Sequence, residues 1–203
     1  ATVAITVDTI PTGLTIVVDG NTLTAPQVFN WIPGSNHTIA TTTPQGSGGT
    51  RYVFNNWSDA GAIAHTITAP ASATTFTATF DTQYQLTIAA SPSNGGTVTP
   101  ASGTFFAAGS VQNVTATAHS GFNFANWTGP VANASAAATT VTMSAPVSVT
   151  ANFDAQVGVT VTTNPPGLTI IVDGNTLTAP QVFNWIPGSN HTIATTPPQG
   201  SGG

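Results

Sequence analysis

Histidine and aspartate are the side chains of this sequence with the most potential for chemistry, and there are few of them. The 203 residues include four histidines and six acidic residues, all of them aspartates, whereas cysteine is absent. Without cysteine, disulfides, thiolate metal sites and thiol nucleophiles are excluded. Catalysis or metal binding would therefore depend on how the histidines and aspartates are spaced.

The histidines lie beside threonine-rich strands or turns, at positions His37, His65, His119 and His191. His37 and His191 occupy the same position of a repeat, so they do not supply two ligands to one metal site. No second ligand stands at a zinc-like spacing from any of the four. We expect surface or turn positions for the histidines, and no metal site.

The aspartates mark turns and strand ends rather than a cleft. Asp19 and Asp173 precede glycine in predicted hairpin turns, where an aspartate bonds its own backbone. Asp81 and Asp154 end strands, and calcium held by oxygen ligands there is the metal alternative left open. Serine occurs without a Gly-x-Ser-x-Gly motif. We therefore predict no catalytic residues and no cofactor.

The charge balance excludes two classes of partner. Charged residues make up only 3% of the chain, the formal net charge is −5, and Arg51 is the single basic residue. Such a surface cannot neutralise nucleic-acid phosphates, and it has no basic cluster for anionic lipid. No run of 18 apolar residues is present, so we predict no insertion into a membrane.

One segment that carries these side chains occurs twice in the sequence. Residues 13–42 and 167–196 are identical except that Val17 is replaced by Ile171, and a long near-identical copy indicates tandem modules. We predict module A at residues 1–82, module B at 83–155, and an incomplete second copy of module A, the third segment, at 156–203. The third segment lacks counterparts of residues 51–57 and 75–80, so we expect more chain or another subunit to complete its core.

The apolar pattern predicts strands and no helix. Apolar residues alternate with threonine, and the runs are separated by turn signals such as Asp-Gly and Pro-Gly. Separate strands are predicted at residues 75–80 and 84–88, and a flexible loop at 45–49. The predicted fold is all-β, with tandem small antiparallel β-sandwich modules, Ig-like or β-grasp-like, and essentially no helix.

The aromatic residues divide into a predicted core and a pair of tryptophans for which three roles are open. Trp57 and Trp127 each follow a phenylalanine by three residues, which places the two rings on opposite faces of a strand unless a bulge intervenes. Trp31 and Trp185 remain open between core packing, contact with a partner module and a platform for stacking sugars. The predicted core consists of Phe54, Trp57, Phe80, Phe122, Phe124, Trp127 and Phe153.

Four short motifs of module B occur in a characteristic order: Tyr-x-Leu-Thr at 84–87, Gly-Gly-Thr-Val at 95–98, Gly-Phe-Asn-Phe-Ala-Asn-Trp at 121–127 and Val-Thr-Ala-Asn-Phe at 149–153. In these motifs module B resembles the divergent InlB B-repeat type of bacterial surface module. The closing half of module A fits the same pattern. Its opening half resembles a PEGA-type module, through Pro11-x-Gly13, Val-Asp-Gly at 18–20 and Pro33-Gly34.

The resemblance implies array elements or spacers of secreted or surface-attached bacterial proteins, and it implies no activity. Our hypothesis is a non-enzymatic extracellular structural protein that forms a stalk, fibre or filament. Its expected partners are other copies of itself, with surface polysaccharide as a further candidate. The alternatives are an adhesin or carbohydrate-binding array that uses Trp31 and Trp185, or accessory modules of a larger secreted enzyme.

Overall fold

The structure of the protein is a computed structural model that describes residues 1–199. Within these residues the chain is all-β and contains no helix, as predicted. The strands are β1 Val3–Ile10, β2 Thr15–Val18, β3 Asn21–Thr24, β4 Gln27–Trp31, β5 Asn36–Thr41, β6 Thr50–Trp57, β7 Ala64–Thr68, β8 Thr74–Ser91, β9 Gly96–Thr99, β10 Thr104–Ala107, β11 Val111–Ala118, β12 Phe122–Thr128, β13 Ala138–Thr142, β14 Val147–Ala155, β15 Val157–Val161, β16 Thr169–Val172, β17 Asn175–Thr178, β18 Gln181–Trp185 and β19 Ile193–Ala194.

The chain packs as two compact units. The first unit comprises Ala1–Thr87, Ser102–Gln112 and Val141–Ser148. The second comprises Ile88–Ala101, Asn113–Thr140 and the chain from Val149 onward. The predicted boundaries of modules A and B, at residues 82 and 155, remain a prediction.

Module A, in the first unit, is built from two sheets. One has the strand order β3-β2-β5-β7, and in the other β4, β1, β8 and β6 pair in turn. Buried side chains of both sheets form one cluster, with Ile5, Trp57 and Phe80 from the second sheet and Ile16 and Ile39 from the first. Residues at alternate positions of each strand point inwards, because successive side chains leave a strand on opposite faces.

One pair of strands in module A departs from the antiparallel pattern. β1 runs parallel to β8, with Ile5 opposite Thr74 and Ile10 opposite Thr79. The two strands stand at the beginning and the end of module A, and the whole of the intervening chain serves as the crossover that a parallel pair requires.

β8 is a single strand where two were predicted. Its residues 74–79 pair with β1, residues 78–84 pair with β6, and residues 83–86 pair with β10. No glycine or proline occurs between Thr74 and Ile88 to end the strand. Asp81, which is predicted to end a strand, therefore lies inside a continuous strand.

Two smaller sets of strands belong to the second unit. β12 pairs antiparallel with β14, so that Phe124 lies opposite Phe153, and β9 pairs with β11. In the third segment, β15 pairs with β18, and β16 lies between β17 and β19. The core of the third segment is small and consists of Val161, Ile170, Val172 and Ala179.

The predicted flexible loop at residues 45–49 is anchored at its start. The backbone N–H groups of Gln45 and Tyr52 each donate to the carbonyl of the other residue, over 2.9 and 2.8 Å. The side chain of Gln45 accepts a hydrogen bond from the backbone N–H of Thr15 over 2.7 Å. Gln45 therefore acts in place of a strand neighbour for β2. The glycine-rich sequence around it predicts only a flexible loop and does not indicate this role.

Candidate functional site

A type I′ turn places the carboxylate of Asp19 beside another strand. Asp19 and Gly20 both have positive φ, 46° and 78°, as the Asp-Gly hairpin turn between β2 and β3 requires. One carboxylate oxygen accepts the backbone N–H of Thr38 over 2.8 Å, and the other lies 2.7 Å from Nδ1 of His37. The sequence predicted that Asp19 bonds its own backbone. The structure corrects this, since the carboxylate bonds the neighbouring β5.

His37 links Asp19 to the turn that precedes β5. Its Nε2 lies 2.8 Å from Oγ of Ser35, and the Ser35 hydroxyl donates to the carbonyl of Ile32 over 2.6 Å. The imidazole stacks on Trp31 with 3.8 Å between ring centroids and 5° between ring planes, and Phe29 stacks on Trp31 at 5.1 Å. We call Phe29, Trp31, Ser35, His37 and Asp19 the Asp–His–Trp cluster.

The third segment contains the same cluster, built from Phe183, Trp185, Ser189, His191 and Asp173. The distance from Asp173 to Nδ1 of His191 is again 2.7 Å, and that from Ser189 to Nε2 is again 2.8 Å. The rings of Trp185 and His191 stack at 4.0 Å and 6°. The arrangement therefore depends only on the repeated stretch and not on the rest of module A.

The order Ser–His–Asp is that of a nucleophilic triad, but the surrounding bonds differ from those of a triad. The hydroxyl proton of Ser35 is engaged by the carbonyl of Ile32 and is not directed at the imidazole. The backbone N–H groups of Gly34 and Ser35 donate to the carbonyls of Ala69 and Ile32, so neither is free to stabilise an oxyanion. The cluster ties two turns together. The expected lack of enzymatic activity remains a prediction.

The electrostatics of the cluster favour the ionised carboxylate. Burial would raise the pKa of Asp19, but hydrogen bonds from His37 and from the backbone of Thr38 outweigh it and lower the pKa. In the second copy the hydrogen bond from His191, followed by that from Thr192, lowers the pKa of Asp173. Both aspartate side chains are more than 40% exposed, so solvent screens these interactions strongly.

A third histidine also pairs with an aspartate. Asp59 lies 2.9 Å from Nε2 of His65, whose Nδ1 lies 2.7 Å from the carbonyl of Ala62. His119, by contrast, bonds the carbonyl of Asn94. The sequence does not predict these pairings, because partners 18 or 6 residues apart carry no local signal. Only the Asp19–His37 pair recurs, as Asp173 and His191. Among residues 1–199, no three histidine or acidic side chains are grouped so that they could hold a metal ion.

The two tryptophans proposed as glycan or partner contacts differ in their surroundings. Trp31 is only 8% exposed, whereas Trp185 is half-buried. Trp185 borders a cavity of about 200 Å³ that is also lined by Asn123, Asn184, Ile186, Ser189 and His191. Contact of either tryptophan with a glycan remains a prediction, and Trp185 is the more accessible of the two.

The aromatic residues predicted as core pack together around a β-bulge. The register of β6 against β8 shifts between Phe54 and Asn56, and that of β12 against β14 shifts between Phe124 and Asn126. Each bulge turns the tryptophan towards the phenylalanine three residues before it. The ring centroids are 6.4 Å apart for Phe54 and Trp57, and 5.9 Å for Phe124 and Trp127. Trp57, Phe80, Trp127 and Phe153 are buried, whereas Phe54, Phe122 and Phe124 are half-buried.

Close packing against Phe153 explains why the Gly-Gly-Thr-Val motif begins with two glycines. A Cβ atom on Gly96 would collide with the ring of Phe153 and with the carbonyl of Thr117, and one on Gly95 would approach Cβ of Phe153 to 2.7 Å. The two glycines therefore let the closing strand β14 place its phenylalanine against the β9 turn. This contact joins the second and the fourth of the motifs that carry the resemblance of module B.

Comparison with known proteins gives one family match. No curated protein and no solved structure matches the chain. No match bears on the PEGA-like opening half of module A, which remains a prediction. The part of the chain that matches a family is residues 86–157, nearly the whole of module B, and the family is the divergent InlB B-repeat domain, which confirms the resemblance found in the sequence.

Proposed function

We propose that the chain is a non-enzymatic structural element of an extracellular or surface-attached bacterial protein, and that it forms part of a stalk, fibre or filament. The family match supports a bacterial surface repeat module. In residues 1–199 no helix is long and apolar enough to cross a membrane. The observation that carries the proposal is the continuity of β8 from module A into module B.

β8 connects the modules through backbone hydrogen bonds rather than through a linker. β6 and β10 both pair with Gln83 and Tyr84 of β8, and so they lie on its opposite edges. β6 lies in predicted module A and β10 in predicted module B, and both strands belong to the first compact unit. β6 continues past the predicted boundary, where Arg51 pairs with Gln83 and Thr50 with Tyr84. A pull on the chain would have to shear this part of the ladder before the predicted modules separate, which suits a load-bearing role.

The single basic side chain reinforces this junction. The guanidinium of Arg51, on β6, lies 4.2 Å from the ring centroid of Phe105, on β10. Its Nε donates to the side-chain carbonyl of Gln83 over 2.7 Å. A cation over an aromatic face contributes about 0.5–1 kcal/mol at an exposed site and more where it is desolvated. Arg51 thus joins both modules and the strand between them.

The test is to interrupt β8 and to measure whether the modules still unfold together. Insertion of Gly-Ser-Gly-Ser between Thr82 and Gln83 should split a single unfolding event in single-molecule force spectroscopy into two weaker ones. The same insertion between Ala71 and Ser72, both exposed, is the control and should leave one event. If the two insertions behave alike, β8 does not carry load between the modules.

Filament formation is tested separately by negative-stain imaging of the purified chain over a range of concentrations. We expect assemblies whose length grows with concentration. Isolated particles at every concentration would restrict the proposed function to that of a spacer within one chain.

The cavity beside Trp185 supports a second candidate, carbohydrate binding. An aromatic ring bordered by amide and hydroxyl groups, here of Asn123, Asn184 and Ser189, is chemically suited to a sugar. Binding to a panel of bacterial polysaccharides should be lost in Trp185→Ala and retained in Val182→Ala, whose side chain is exposed on the same strand. Binding that survives Trp185→Ala, or no binding by the unaltered chain, would exclude this candidate.

A further inference from the structure

Within residues 1–199, one strand edge of the third segment has no partner strand, although the same sequence is covered in module A. In module A, β7 pairs with the outer edge of β5, and Ile39 is 0% exposed. The equivalent β19 is the edge strand of its sheet within the described residues, and Ile193 is 57% exposed. Beside it lies a groove of about 430 Å³ lined largely by Val161, Leu168, Ile170, Ile193 and Ala194.

The hydrogen bonds of Thr192 show which backbone groups face outwards. The N–H of Thr192 donates to the carboxylate of Asp173, and its carbonyl accepts the N–H of Asp173 over 3.0 Å. Thr192 therefore turns its backbone towards β16. Because backbone groups alternate between the two edges of an antiparallel strand, the N–H and C=O groups of His191 and Ile193 face the open edge.

The pairing of β5 with β7 shows what fits such an edge. β5 contains His-Thr-Ile at 37–39, and β7 contains His-Thr-Ile at 65–67. The two tripeptides pair antiparallel with each other, so that His37 lies opposite Ile67, Thr38 opposite Thr66, and Ile39 opposite His65. In this protein, His-Thr-Ile is thus complementary to itself in the antiparallel orientation. Residues 191–193, at the open edge, are His-Thr-Ile again.

We infer that two copies of this chain associate through antiparallel pairing of residues 190–194, with a two-fold axis at Thr192. His191 of each copy lies opposite Ile193 of the other, in the register of His37 and Ile67. The two H-bonded pairs supply four backbone hydrogen bonds, and Thr192 faces its counterpart in a non-hydrogen-bonded pair. Each Ile193 then occupies the place that Ile67, only 5% exposed, has in module A.

The composition of the edge is compatible with a second copy. The five paired residues carry no acidic or basic side chain apart from the imidazole of His191, which is already bonded to Asp173. Association is isologous, so the same patch serves both partners. Five residues a side give an interface well below the usual size of stable complexes, and we expect a Kd on the order of 100 µM.

The inference names one contact for the assembly part of the proposed function and rests on that part. Because the contact is isologous it joins chains only in pairs, so growth into a filament requires a second contact elsewhere on the chain. Its test is independent of the coupling of modules A and B through β8. The insertion after Thr82 can fail to split unfolding while the edge still pairs, and the edge can stay unpaired while β8 carries load. The two results are therefore distinguishable.

Site-specific cross-linking tests the register, because the chain has no cysteine of its own. In Thr192→Cys the two introduced thiols would stand at a Cα separation of about 4.5 Å, within disulfide reach. In Asn190→Cys the two like positions would be about 13 Å apart, four residues along the strand, and cannot be bridged. A mixture of Asn190→Cys and Ala194→Cys chains, however, places unlike thiols opposite each other.

With copper phenanthroline as oxidant at about 100 µM chain, we expect Thr192→Cys to form covalent dimers at least tenfold faster than Asn190→Cys. The mixture of Asn190→Cys and Ala194→Cys should form heterodimers at a rate close to that of Thr192→Cys. Equal rates for Thr192→Cys and Asn190→Cys, or no dimers of Thr192→Cys in a chain that circular dichroism shows to be folded, would overturn the inference.

Sedimentation velocity of the cysteine-free chain provides an independent measurement. The unaltered chain should shift from monomer to dimer between about 10 and 500 µM. Ile193→Lys should abolish the shift, because the introduced ammonium would be buried against the partner. Val182→Lys adds the same charge at an exposed position of β18 and should leave the shift unchanged. A chain that stays monomeric at 500 µM, or two lysine variants that behave alike, would contradict the pairing.

Discussion

Module A and the third segment contain the same thirty-residue stretch, apart from Val17 and Ile171, in two different environments. In both, the histidine–aspartate bond and the ring stack agree to within 0.2 Å, and the turn aspartates have φ of 46° and 48°. The strand after the turn differs. It runs over Asn36–Thr41 in module A, whereas only Ile193–Ala194 are paired in the third segment. The local cluster is thus determined by the repeated sequence, and the length and burial of the strand by its neighbours.

This difference separates the contribution of hydrogen bonds to stability from that of hydrophobic burial. Hydrogen bonds within the repeated stretch form without β7, since Asp173 and His191 meet as closely as Asp19 and His37. The hydrophobic contribution depends on β6, β7 and β8, which cover Ile39 but have no equivalent over Ile193 within the described residues. The same side chain therefore belongs to a core in one copy and to a surface in the other.

The largest expected effect is at this pair of isoleucines. Ile39→Ala should lower the free energy of unfolding of module A by about 2–5 kcal/mol, because it leaves a cavity in a packed core. Ile193→Ala removes the same atoms from a mostly exposed side chain and should change the free energy of unfolding by no more than about 0.5 kcal/mol.

Denaturation by guanidinium chloride, followed by circular dichroism at a concentration well below that of dimerisation, measures both changes. A loss in Ile193→Ala as large as that in Ile39→Ala would mean that the third segment is covered in solution. The comparison of the two copies would then no longer hold.

A second effect, of intermediate size, should be equal in the two copies. Gln45 bonds both backbone groups of Thr15 and the hydroxyl of Thr41, and Gln199 bonds both backbone groups of Thr169 and the hydroxyl of Thr195. Alanine at either position leaves a backbone N–H without its partner, at a cost of about 1–3 kcal/mol.

Amide hydrogen exchange at Thr15 and Thr169 measures this cost locally. We expect exchange to accelerate by similar factors in Gln45→Ala and Gln199→Ala, and by less in the glutamate variants, which keep the acceptor oxygen. If exchange accelerates only at Thr15, the glutamine bonds stabilise the backbone only where β6, β7 and β8 are present. The repeated sequence alone would then not determine their strength.

The sequence predicted the parts of this structure that have a short-range signal. The Asp-Gly turn at residue 19, the all-β class and the need for a bulge between Phe54 and Trp57 all follow from neighbouring residues. The sequence does not predict the continuity of β8, because Asp81 is interpreted as the end of the first of two separate strands. The sequence does not predict the Asp19–His37 bond, because the two residues meet only after β2 and β5 have paired. No local sequence pattern at either residue indicates its partner.

The smallest expected effect concerns acid stability, and it should again be the same in both copies. The pKa of Asp19 and that of Asp173 lie below the ordinary value of 3.8. Their hydrogen bonds therefore stabilise the fold fully above the pKa of the unfolded chain, and this stabilisation is lost as the pH falls through the lowered folded pKa. Both carboxylates are exposed enough for salt to weaken the effect.

Titration of the aspartate side-chain carboxyl resonances by NMR tests the equality directly. Asp19 and Asp173 should titrate below 3.8, and His37→Phe and His191→Phe should each raise the pKa of their own aspartate while leaving that of the other unchanged. A lowered pKa at Asp19 together with an ordinary one at Asp173 would show that the histidine bond needs the covering strands. The repeated stretch alone would then not suffice to build the cluster.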